Sequence, residues 1–179
     1  MIEPFRVGFV PGVMPDKWRR LWQERSRRPL ELVQVAVADQ ERSLRNGDVA
    51  MCLVRGEVDR DGMHLIPLYR EQPVVVASRE HPVAAFDEID VAELADEHQH
   101  AVPPLAVKEA VEAVAAGTGV VILPLSLARL HHRKDVVAVP VAGVPDSPVG
   151  LAWLIESADP DLETFIGVVR GRTVRSSRG

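Results

Sequence analysis

Few residues of this chain have the types and spacing that chemistry needs. His98-x-His100 places two imidazoles on one face of an extended segment, with Asp96 nearby. Two ligands without a convincing third read as a solvated strand rather than a metal centre. His131-His132-Arg133-Lys134 reads as a polar loop, and the single cysteine, Cys52, sits inside an apolar run as an inert core thiol. Gly117-x-Gly119 lacks the third glycine and the following helix of a dinucleotide-binding loop, so no cofactor is expected. No nucleophile–base or carboxylate pair stands out, and the chain does not read as an enzyme.

The surrounding segments alternate strand and helix signals, the pattern of a mostly parallel α/β fold. Phe5–Val10 is a short apolar run ended by Pro11-Gly12, and Pro15-Asp16 then opens a helix. Met14, Trp18, Leu21 and Trp22 give that helix an apolar face; Lys17, Arg19, Arg20, Arg25, Arg27 and Arg28 make the other face basic, up to a stop at Pro29. A strand over 30–37 follows, then a helix capped by Asp39 and closed by Gly47, then a continuous apolar strand over 49–54. Runs at 65–68 and 74–77 are separated by Arg70-Glu71-Gln72-Pro73, and Asp90 with Glu93 forms a capping-box pair at a helix start. Further strands are expected at 98–102, 120–123, 136–141 and 150–154. Helices are expected over 107–114 (ended by Gly117), over 125–130, and from an Asp159 cap through Val169. Residues 171–179 read as a flexible basic tail.

Composition narrows the classes. The chain has 179 residues, 21 Lys+Arg against 26 Asp+Glu, and 29 valines. This fits one domain, or two small lobes, built on β-branched cores. One cysteine excludes a disulfide framework and suits a reducing, cytoplasmic setting, and no apolar run approaches the ~20 residues of a membrane span. The acidic balance and the absence of a DNA- or RNA-reading motif argue against direct nucleic-acid binding, although the basic helix face and Arg170, Arg172, Arg175 and Arg178 invite that reading.

In open α/β sheets, ligands bind beyond the carboxyl ends of the strands. That rule selects Gly12, Val13 and Met14 after the first strand, Asp39 and Gln40 after the second, and Arg55 after the third. Gln72 at the crossover and Thr118 in the Gly117–Gly119 turn are expected to close the site from the other side. Arg55 is suited to pair with a ligand carboxylate and Thr118 to donate a hydroxyl.

Four segments, in order, carry a family resemblance. Phe5-Arg6-Val7-Gly8-Phe9-Val10-Pro11-Gly12 resembles the first strand of the effector-binding domain of LysR-type transcriptional regulators. Leu44-Arg45-Asn46-Gly47-Asp48-Val49-Ala50 echoes that family's L-x-x-G-x-x-D-x-A, with Asp48 early. The stretch from Leu65 to Val76, followed by His81-Pro82-Val83, resembles its P-L-x-x-E-x-x-x-x-V segment and H-P-L. Ala115-Ala116-Gly117-Thr118-Gly119-Val120-Val121-Ile122-Leu123-Pro124 resembles its A-x-G-x-G-I-x-x-L-P.

The resemblance implies a two-lobed type 2 periplasmic-binding-protein fold with a small ligand bound between the lobes, and side-by-side homodimers; the candidate role of Arg55 points to an anionic effector. Family members begin with a winged helix-turn-helix, whereas this sequence starts at the first effector-domain strand and reads from Met1 as a standalone protein. The expected division is lobe I at 1–97 plus 144–170 and an abbreviated lobe II at 98–143. A lobe that short makes a protein-interaction module without a ligand cleft the alternative to a small-molecule sensor.

Overall fold

Strand β3 (Met51–Arg55) shows how the first half of the chain is organised. Met51 and Leu53 point into one apolar cluster and Cys52 and Val54 into another, so the strand is buried on both faces. Its neighbours are β1 (Phe5–Phe9), parallel with Gly8 opposite Cys52, and β10 (Ser147–Leu154), antiparallel with Leu151 opposite Leu53. With β2 (Leu30–Gln34) and β4 (Met63–Glu71) they form a sheet of order β2-β1-β3-β10-β4. The computed structural model describes residues 1–171. Arg172, Arg175 and Arg178 of the expected basic tail lie outside the described residues.

One face of this sheet carries α1 (Asp16–Arg25) and α5 (Leu162–Val169), whose aromatic side chains build the core. Phe5 and Trp22 stack at 4.9 Å, and Trp18 meets Phe165 edge-on at 6.5 Å. The buried Trp22 indole donates to Arg28 O at 2.6 Å. The other face is covered by α2 (Gln40–Arg45) through Leu44. Helix α1 ends at Arg25, short of Pro29, with Ser26 already extended at φ −136°. Asp159 does not cap α5, because Asp161 holds the cap position. The Asp159 carboxylate instead takes both bonds from Arg28 Nη1 at 2.9 Å and the Asp161 N–H at 2.9 Å. Partial burial opposes the Arg28 charge, but its bonds to Asp159 and Asp161 outweigh this and hold its pKa above the usual value.

The second compact unit runs from Arg70 to Pro148; the first comprises Met1–Tyr69 and Val149 onward. Its sheet has the order β6-β9-β5-β8-β7. The strands are β5 (Pro73–Ser78), β6 (Ile89–Asp90), β7 (Gln99–His100), β8 (Val120–Pro124) and β9 (Val136–Ala142). Central β5 is antiparallel to β8 and β9, while the outer pairs β6–β9 and β7–β8 are parallel. Val74 and Val76 pack under α3 (Val107–Ala115) and α4 (Leu125–Leu130), and Val75 and Ala77 face the opposite cluster.

The expected lobe boundaries at 97/98 and 143/144 therefore need correction, and so does the abbreviated lobe II. Residues 70–97 belong to the second unit because β5 finds its partners there, Val75 opposite Ile122 and Val139. Two shorter adjustments follow. The Asp90 capping box forms, with bonds of 2.8 and 3.2 Å, but on a single 3-10 turn over Val91–Leu94. Strand β4 also runs on through Glu71 rather than stopping at Leu68.

Candidate functional site

At the carboxyl edge of the first unit's sheet, three loops are tied together by two buried polar residues. Strand β1 leads into Val10-Pro11-Gly12-Val13, where Val13 N–H donates to Val10 O at 3.3 Å and Gly12 sits at φ +91°, a conformation that favours glycine. Beyond β2, a 3-10 turn at Val37–Asp39 delivers Gln40, only 4% exposed. The Gln40 side chain bonds both backbone groups of Arg55, its Nε2 donating to Arg55 O at 2.9 Å and its Oε1 accepting from Arg55 N–H at 3.0 Å. Arg55 is 6% exposed and its Nη1 donates to Pro11 O at 2.7 Å. The three loops are thus cross-linked where they meet, and exposed Met14 and Val37 give the edge an apolar rim.

The selected residues of this unit therefore converge, but in different roles. Gly12 shapes the first loop, Val13 is buried in the aromatic core, and Gln40 and Arg55 act first as the fastening between loops. Asp39 turns away. Its carboxylate accepts from Arg42 Nη2 at 2.6 Å and makes no capping bond to α2, which corrects the expected cap. A charged guanidinium one turn on outcompetes a backbone N–H for that carboxylate.

In the second unit the two selected residues separate. Gln72 O accepts from Leu125 N–H at 2.9 Å, at the end of the β5–β8 ladder that opens with Pro73 opposite Pro124. Thr118 lies six positions before Pro124, roughly 20 Å away at the rise of an extended strand. Its hydroxyl donates to Ala113 O at 2.6 Å, and its carbonyl faces His100 Nε2. The turn holding Thr118 leads into β8, and because β7 and β8 are parallel it occupies their amino edge. The strand rule applied to chain direction would have excluded it. At the carboxyl edge stands a residue the sequence reading did not select: Glu71, 8% exposed, accepts from Ser126 Oγ at 2.6 Å. Its only signal was its place in the Leu65–Val76 segment.

The remaining chemical candidates resolve locally. His98 and His100 stack edge-on at 4.6 Å, and among the described residues no group of three or more His, Cys, Asp or Glu could hold a metal. Burial pushes the Cys52 thiol up to about 12, with a bond to Ser43 acting in the opposite sense. On α1, Arg19 pairs with Asp16 and Arg20 with Glu24, an exposed face of mixed charge. No helix among the described residues is long and apolar enough to cross a membrane.

A family model described as LysR substrate binding domain matches residues 4–104 and 107–173. The Hca operon transcriptional activator HcaR of Escherichia coli (strain K12) is 27% identical over 198 residues, covering 93% of this chain and 67% of that protein. A mutant OxyR regulatory domain from Pseudomonas aeruginosa superposes with a TM-score of 0.77 at 23% identity, covering 97% of this chain and all of that one. The BenM effector binding domain with its effector benzoate gives 0.79 at 17% identity, covering 99% and 95%. These likenesses establish a two-unit, type 2 periplasmic-binding-protein-like α/β fold.

Proposed function

The chain belongs to the LysR substrate-binding-domain family, and from that premise we propose that it is the effector-sensing module of a transcriptional regulator. In this reading a small organic anion binds at the carboxyl edge of the first unit's sheet. The observation that carries the reading is the fastening of Gln40, Arg55 and the Pro11 carbonyl. Two polar residues, 4% and 6% exposed, are spent on holding three loops in register. Such preorganisation lowers the ordering cost of binding. Met14 and Val37 supply apolar contact, and the loop around Gly12 offers close backbone approach.

Binding then biases a conformational equilibrium of the domain by the ligand's differential affinity for its states. The module acts in a homodimer, in the cytoplasm, without enzymatic activity, and leaves DNA contact to another domain or partner. An interaction module without a ligand site drew its support from a shortened second lobe, and the five-stranded sheet of residues 70–148 removes that support.

The test is a thermal-shift screen of small carboxylates, benzoate included, on wild type and Val37→Glu, whose new carboxylate repels an anion at this edge. Saturation near 100-fold above Kd adds about 2.7 kcal/mol, a rise of roughly 5–10 °C for a chain of this size. No stabilisation by any compound, or equal stabilisation of Val37→Glu, would overturn the proposal. Light scattering checks the dimer.

A further inference from the structure

We propose that Asn46-Gly47, where α2 ends, is a self-modifying site whose conversion to an isoaspartyl linkage takes apart the end of that helix. The chain holds a single asparagine, and a glycine follows it. Both residues are exposed. Among the described residues no partner holds the Asn46 side-chain amide. A Cβ on Gly47 would meet nothing within 4 Å, so no neighbour crowds the link.

The reaction needs only water. The Gly47 backbone nitrogen gives up its proton and attacks the Asn46 side-chain carbonyl carbon. A C–N bond forms there, the bond to the side-chain nitrogen breaks, and ammonia leaves with that proton. Water then opens the resulting ring. Cleaving the new bond gives aspartate at position 46. Cleaving the original peptide bond leaves Gly47 joined through the side chain, the isoaspartyl link. One ammonia leaves and one water enters, with no oxidant or reductant.

The fold sets the rate. Asn46 is the C-cap of α2 at φ −80° and ψ −11°, and Gly47 N–H donates to Leu44 O at 3.1 Å. At that ψ the Gly47 nitrogen is turned away from the side chain. Attack requires rotation by about a third of a turn, with loss of the bond to Leu44. Helix α2 has only six residues, and fraying of its last turn is the low-cost opening that permits this.

The consequence follows from what is tied behind the link. Asp48 N–H and Val49 N–H both donate to Ser43 O, at 2.9 and 3.3 Å, and buried Val49 leads into β3. An isoaspartyl link adds one carbon to the main chain between these donors and the helix. The bonds to Leu44 O and Ser43 O then lose their register, and the freed carboxylate stands beside Asp48. None of this depends on an effector binding at the carboxyl edge.

The experiment incubates the full chain, folded and in urea, in heavy-oxygen water at physiological temperature, and maps residue 46 by peptide mass spectrometry. The folded protein should convert at Asn46 with uptake of one heavy oxygen, at least tenfold more slowly than the unfolded chain. Asn46→Gln keeps an amide but closes a larger ring, and should stay intact over the same period. Converted protein, separated by ion exchange, should unfold at lower urea than Asn46→Asp, which carries the charge without the lengthened chain. The proposal is overturned if the folded amide survives about a hundred half-lives of the unfolded one, or if both forms convert equally fast. It is equally overturned if no heavy oxygen enters, if Asn46→Gln converts as fast, or if converted protein unfolds as Asn46→Asp does.

Discussion

Replacing Gln40 with alanine removes both side-chain bonds to Arg55 and leaves the Arg55 N–H and C=O without that partner in a buried site. The native distances are 2.9 and 3.0 Å, and the two residues are 4% and 6% exposed. Each buried backbone group that loses a hydrogen-bond partner costs about 1–3 kcal/mol, so the pair costs about 2–6, with about 3 kcal/mol as a working value. With a urea m-value of about 2 kcal/mol/M, that lowers the midpoint by roughly 1.5 M. All three tryptophans, Trp18, Trp22 and Trp153, lie in the first unit, so their fluorescence follows its unfolding specifically. Gln40→Glu separates hydrogen bonding from packing. It keeps the shape and the acceptor for Arg55 N–H, but at pH 7 it sets a carboxylate oxygen against the Arg55 carbonyl. It should destabilise at least as much as alanine. A midpoint shift under about 0.25 M for Gln40→Ala, or a wild-type midpoint for Gln40→Glu, would refute the fastening role.

Further expectations concern the rest of the chain. Gly117 and Gly119 both sit at positive φ, but a Cβ on Gly117 meets nothing within 4 Å whereas one on Gly119 would overlap the His98 carbonyl. Gly117→Ala should cost about 1 kcal/mol of strain and Gly119→Ala several times more, as measured by denaturation followed by far-UV circular dichroism. Asp159→Asn strips the charge from the doubly bonded partner of Arg28, and should destabilise the first unit by about 1–2 kcal/mol in urea titration. Cys52 should resist a thiol reagent in the native protein and react on unfolding. Its thiol is raised in the fold from 9.0 to about 12, so the native state binds the proton more tightly than the unfolded state. Stability from this group is full below pH 9 and falls as pH rises from about 9 toward 12; Cys52→Ala should remove that component.

Much of the fold is legible in local patterns. The apolar run at Met51–Val54 marks a strand covered on both sides, and Leu125–Leu130 forms the expected short helix. Pairing is not legible. Val74-Val75-Val76 carries no signal for whether it joins the strands before or after it, and that choice decides where the units divide. The candidate site divides the same way. Chain order and the strand rule bring Gly12, Gln40 and Arg55 to one edge, whereas Thr118 was selected from its glycine-rich turn without regard to strand direction.

Sequence alone determined what periodicity, breakers and composition can encode: the succession of strands and helices, the valine-built cores, the single thiol, and the segments that carry the family resemblance. Tertiary structure alone decided the partners. Arg55 and Gln40 are 15 residues apart, Arg28 and Asp159 are 131 apart, and Glu71 and Ser126 are 55 apart. A buried polar group must be satisfied, but any donor or acceptor brought within about 3 Å will do. Side-chain type sets the requirement, and only the folded path of the backbone selects the residue that meets it.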